Sequence, residues 1–176
     1  MSVTHTAEID PTWFIRPDGH DGSHTIHGVA HTARVHTHAT EIAEALDLHE
    51  WEREALHYAA MWHDIGRTGD GVDPTHGALS AAKVCELDLD EGVRPRIVRL
   101  AIFAVTYHST HDDYAHAAVE GVEDAEACLR VFNVLKDADG LDRVRLGFGD
   151  LDPSYLRFPV SKTRVDRAWE LLRQLP

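Results

Sequence analysis

Sulfur is scarce in this chain. Two cysteines, Cys85 and Cys128, occur in 176 residues, too few and too far apart for a disulfide framework or a thiolate zinc site, and a reducing compartment suits them. Positive charge is also short: 17 Lys and Arg stand against 30 Asp and Glu, a formal net charge of −13. Such a balance repels nucleic-acid backbones and anionic membranes, which argues against a nucleic-acid scaffold role. No stretch approaches the roughly 18 apolar residues of a membrane span. The opening MSVTHTAEIDPTWF lacks the basic start and apolar run of a secretion signal. These absences predict a soluble, cytoplasmic protein with no membrane partner; an oligomer is compatible with the same composition.

Strand signals are missing too, since no alternating β-branched run is bounded by turn pairs. Helical periodicity takes their place. The length suits one domain with a real core, and the pattern predicts an all-α, single-domain bundle of about six or seven helices. Helices are expected over residues 25–46, 50–65 and 93–107, and over 73–87, where Asp73 followed by Pro74 forms an acidic cap with proline at the first turn. A short helix over 112–119 and a longer one over 123–141 follow. Glycines and prolines in LGFGDLDPSYLRFPV predict a covering loop over 146–160, and Ser161 is expected to cap a final helix ending near 175.

The chain is rich in histidine, with 14 residues scattered rather than consecutive. Placed at 100° per residue, His31 shares a stripe with Val35, Ile42, Ala45 and Leu46, whereas His36 lies nearly opposite and is expected to meet water. His27 and His38 share the His31 face. His63 continues a face formed by Leu56, Ala59 and Ala60, and His108 follows Ile97, Ala101, Ala104 and Val105. On the 123–141 helix, Cys128, Phe132 and Leu135 lie within about 40° of Asp139, while Asp137 points about 160° away and is expected in solvent. A carboxylate on an apolar stripe needs a cation, a hydrogen-bond network or a raised pKa. One shared metal site explains all four helices, and facing helices of a bundle commonly build one.

Histidine and aspartate offer nitrogen and oxygen but no sulfur. That donor set suits one or two divalent ions (Fe, Mn, Zn, Ni, Co or Mg) in a catalytic site. Bound cations would also let an acidic protein accept a phosphorylated small molecule.

The ordered motifs HTARV, HDIGR and LKDADGLDR resemble the His, His-Asp and Asp motifs of the HD-domain superfamily of metal-dependent phosphohydrolases. The likeness spans about residues 24–145 and implies an HD-type metal-binding core over 25–145. A 1–24 extension would precede it, and a covering loop with the C-terminal helix, 146–176, would follow in the same domain. Carried over residue by residue, the metal ligands fall on His31, His63, Asp64 and Asp139. HGALSAA and YHSTHD resemble the segments where two-metal members place extra histidines, which makes His76 and His108 ligands of a second ion. His111 departs from the adjacent His pair of the cyclic-dinucleotide branch and the Gly-Tyr-Pro motif is absent, so that substrate is not expected.

The implied reaction is hydrolysis of a phosphate ester of a nucleotide or other phosphorylated metabolite by a metal-activated water. Asp64 would bridge the ions or position the water, and His111 or Lys136 would assist the leaving oxygen. Arg67 and Arg34 are candidate phosphate contacts, although Arg34 fits a surface ion pair equally well and Lys136 could simply pair with Asp139. His27 would line the pocket or support a ligand. The alternative is a di-iron oxygenase cleaving a carbon bond with dioxygen; a catalytically silent metal-stabilised binding module is a third reading.

Overall fold

The computed structural model describes residues 9–176; the first eight residues of the 1–24 extension lie outside the described residues. Among the described residues eight α-helices form the architecture: α1 (Val29–Ala45), α2 (Glu50–Trp62), α3 (His76–Glu86), α4 (Pro95–Tyr107), α5 (Asp112–Ala118), α6 (Ala125–Leu141), α7 (Pro159–Lys162) and α8 (Val165–Gln174). Within the same residues one short 3-10 turn precedes α1 and two lie between α6 and α7. Among the described residues the only β pairing is one isolated bridge, Ile15 to Asp21, so the chain is all-α. No helix among the described residues is long and apolar enough to cross a membrane.

The core is the mutual packing of α1, α2, α4 and α6, with α3 laid along α4. Each presents the apolar face its periodicity implies. Val35, Ala39 and Ile42 of α1, Leu56, Ala59 and Ala60 of α2, Ile97, Leu100 and Ala104 of α4, and Cys128, Phe132 and Leu135 of α6 are all buried. Local chemistry sets the helix ends. His49 and Glu52 form a reciprocal capping box at the start of α2, Pro95 opens α4 where its missing N–H costs nothing, and Asp124, at a φ of 62°, opens α6 while Arg96 and Arg99 bind its carboxylate.

Two glycines let helices approach closely. A Cβ on Gly77 would lie 2.5 Å from the Val105 carbonyl oxygen, so glycine permits α3 to touch α4. A Cβ on Gly66 would lie 2.2 Å from the Ser80 amide nitrogen, and the Gly66 N–H instead donates to Ser80 Oγ at 2.9 Å. Together these contacts set the start of α3 against the ends of α2 and α4.

Five expectations need correction. The helix expected from Asp73 starts at His76, with Thr75 immediately before it, so Asp73 and Pro74 precede α3 rather than open it. The first helix starts at Val29, not near residue 25, because the Ser23 carbonyl takes the Val29 N–H and holds 23–28 as turns. The C-terminal segment is two helices: Ser161 sits inside α7, and Arg164 precedes α8. His36 does not meet water; it is buried, with Nε2 2.8 Å from Nδ1 of His57 on α2. Asp137 does not face solvent. It is fully buried beneath residues 155–158, where the amides of Arg157 and Phe158 and the Arg157 guanidinium donate to its carboxylate.

Candidate metal centre

The ends of α2 and α4 repeat one device. His63 and His108 are the residues immediately after each helix, and each ring donates from Nδ1 to the carbonyl three residues back, Ala60 at 2.8 Å and Val105 at 2.7 Å. His76, at the start of α3, likewise donates to the Asp73 carbonyl. His31, in the first turn of α1, has Nδ1 2.7 Å from Asp142 Oδ2. With Nδ1 occupied as donor, each of these four rings directs an Nε2 lone pair inward.

Those lone pairs face one another. His31 Nε2 lies 3.0 Å from His63 Nε2, and His76 Nε2 lies 2.9 Å from His108 Nε2. Asp64 stands between the two pairs: Oδ2 is 3.4 Å from His31 and 3.8 Å from His63, while Oδ1 is 3.0 Å from His76 and 3.5 Å from His108. Asp139 closes the first group, with Oδ1 3.4 Å from His31 Nε2. Its side chain is a third exposed, unlike Asp64 at 2%, so the cluster meets solvent on the Asp139 side.

Four imidazole acceptors and two carboxylates do not satisfy one another, and Asp64 Oδ1 has no hydrogen-bond donor although it is buried. A cation resolves this. Nitrogens about 2.1 Å from a common ion and at right angles to it would be about 3.0 Å apart, which agrees with both His pairs. The donor set and its spacing therefore fit one or two divalent ions.

The electrostatics agree. Burial pushes His63 down to about 3, against the attraction of Asp64, so it is neutral and free to act as a ligand. Burial alone would raise Asp64, yet His63, His108, His27 and His31 hold its carboxyl well below the usual range. At Asp139, too, burial is outweighed, by His31, His63 and Arg145, and its pKa is lowered. His31 is raised: burial and Arg145 oppose its charge, but the carboxylates of Asp142 and Asp64 prevail. Positive charge is favoured where these groups meet.

Around this cluster, Arg67 makes an ion pair with Asp64 at 2.9 Å. His27 places Nδ1 3.0 Å from Asp64 Oδ2, and burial lowers its pKa. Both stand beside the six clustered residues. The other three candidates do not. Arg34 is buried rather than at the surface; its guanidinium holds both Asp142 oxygens, at 2.6 and 3.0 Å, and the Leu175 carbonyl, which leaves no free fork for a phosphate. Lys136 donates to the Thr110 carbonyl and Asp112, at 2.6 and 2.7 Å. Its partner is therefore Asp112, not Asp139. His111 is turned outward, with a side chain 74% exposed, and caps α5 by accepting from the Asp113 amide.

Two residues of the site escaped the sequence reading. Asp142 is completely buried and carries His31 and Arg34. Arg145 lies 3.6 Å from Asp142 and donates to the Ile26 carbonyl and to His27. Both belong to a 3-10 turn, Asp142–Leu146, beyond the end of α6. The signal available was their spacing of three and six residues from Asp139, which a purely α-helical projection does not interpret.

An all-α bundle whose facing helices converge histidines and aspartates offers the donor set of a metal centre. The HD domain family model matches residues 28–144, more than half of the chain, and the chain belongs to that family. No curated protein and no solved structure matched it. Membership implies metal-dependent, hydrolase-type chemistry in general, and the His/Asp cluster points to a divalent metal.

Proposed function

We propose that the chain is a metal-dependent phosphohydrolase that cleaves a phosphate ester of a small molecule. In this reading His31, His63, Asp64 and Asp139 would hold one divalent ion, and His76 and His108, together with Asp64, would hold another. The observation that carries it is the convergence of four Nε2 lone pairs on the two oxygens of one buried carboxylate. When bound, such ions supply positive charge to a phosphoryl group and lower the pKa of a coordinated water.

The chain's own residues do the rest. Asp142 and the carbonyls of Ala60, Asp73 and Val105 hold the four rings in the tautomer that leaves Nε2 free. Asp139, on the side that meets solvent, is placed to orient an incoming water by hydrogen bonding. Arg67 and Arg145 add fixed positive charge beside Asp64 and His27, where a phosphoryl oxygen would be held.

Protein purified without chelator and supplied with Mn, Fe, Zn, Ni, Co or Mg tests the reading directly. Inorganic phosphate should appear from at least one member of a panel of phosphorylated metabolites, with no uptake of dioxygen. Oxygen consumption coupled to carbon-bond cleavage, without phosphate release, would establish the di-iron alternative instead.

A further inference from the structure

A cavity of about 570 Å³ shares His31 with the cluster. It falls within the size of ordinary small-molecule sites. Its wall is mostly apolar, built by Ile26, Val29, Ala30, Leu172 and Leu175, and it contains no Phe, Tyr or Trp on which a nucleobase could stack. Two groups belong to cavity and cluster alike. His31 lines the cavity while its Nε2 faces His63, Asp64 and Asp139. Arg145 lines it while its guanidinium reaches His27 and the Asp142 carbonyl. Both lining guanidinia are already hydrogen-bonded, Arg34 to Asp142 and the Leu175 carbonyl, and Arg145 to the carbonyls of Ile26 and Asp142 and to His27, so what Arg145 brings to the cavity is its charge.

We propose that this cavity takes the apolar body of the substrate, so that the molecule cleaved is a phosphate monoester of an apolar alcohol rather than of a nucleoside. The assignment rests on the phosphohydrolase reading above. An anionic head at the cluster, continuous with an apolar tail against Val29, Ala30 and Leu172, matches an apolar wall that shares the charged side chains of His31 and Arg145 with the cluster. In the reaction, water oxygen bonds to phosphorus and the P–O bond to the alcohol breaks. The alcohol oxygen takes one proton from the water, and inorganic phosphate leaves with the other.

Calorimetric titration of the metal-loaded protein with n-alkylphosphonates, from ethyl to octyl, separates tail from head without turnover. Each methylene buried should tighten binding by about three- to fourfold. Leu172→Trp and Ala30→Phe, two independent fillings of the cavity checked by circular dichroism for intact helix content, should each flatten that dependence. A flat dependence in the wild type overturns the proposal even where small phosphate esters are hydrolysed. So does a steep one that both fillings leave unchanged, since the tail then lies elsewhere. A steep dependence shared by n-alkyl carboxylates, with phosphate released from no ester, overturns the phosphohydrolase reading rather than the cavity.

Discussion

Two carboxylates on α6, Asp137 and Asp139, belong to regions built on opposite principles. Around Asp137 every acceptor meets a donor: two amides and a guanidinium converge on it, and Arg157 and Lys136 together satisfy Asp112 beside it. Around Asp139 and Asp64 acceptors meet acceptors, and imidazole lone pairs stand about 3 Å apart. Burial is therefore a poor mark of a ligand. Asp137 is the more deeply buried of the two, yet it pins residues 155–158 to the core, while the partly exposed Asp139 belongs to the cluster that needs a cation. What separates a structural carboxylate from a ligating one is the supply of N–H groups around it.

Substitutions should break that contrast in opposite ways. The largest effect is expected at Asp64, whose two oxygens serve both histidine pairs. Asp64→Ala should lose both ions, and turnover should fall by far more than the roughly 100-fold that loss of a ligand's outer partner costs. Metal analysis and phosphate release on the same sample check this; full occupancy in the variant would dissolve the bridge. Asp137→Ala should leave the metal in place but weaken folding by about 3 kcal/mol, the low end for breaking a buried ion pair, because Arg157 keeps Asp112. Urea unfolding reads that loss. A variant as stable as wild type but stripped of metal would reverse the roles assigned to the two aspartates.

The comparison also marks what could be read from sequence. Helical periodicity reveals the apolar faces of α1, α2, α4 and α6, and it places His31, His63 and His108 on or beside them, since a core stripe needs no knowledge of its partner. Asp137 is misread because its burial comes from residues 155–158, a segment without periodicity that folds over the exposed side of α6. His36 is misread likewise, because the neighbour that hides it, His57, lies on another helix. Asp142 and Arg145 lie where the chain leaves α-helical geometry for a 3-10 turn, so an angle of 100° per residue no longer tells where they point. A one-helix projection sees what a helix offers and not what covers it.

His38 sharpens the contrast from a third direction, since it is wholly buried and both its ring nitrogens lack hydrogen-bond partners. Burial holds it down to about 4. Above pH 6.5 the ring is neutral folded or unfolded and gives no pH dependence. As pH falls from 6.5 to about 4, only the unfolded chain takes the proton, so stability is lost across that window, by up to about 3 kcal/mol. His38→Leu should flatten the acid limb of a urea-midpoint profile, and an unchanged limb would assign it to other groups. A milder effect is expected from Asp142→Asn, which keeps the shape but weakens the bond fixing the His31 tautomer. Metal affinity should fall about 10- to 100-fold, as competition with a chelator would show; an unchanged affinity would mean that His31 does not depend on Asp142 for its orientation.

The central claim, that two histidine pairs and one shared aspartate form a centre for divalent ions, is tested most directly by elemental analysis of the protein after metal loading and removal of free ions. The account predicts two equivalents in the wild type, falling to one in a His76→Ala, His108→Ala double variant that retains His31, His63 and Asp139. Retention of no metal by the well-folded wild type would contradict it.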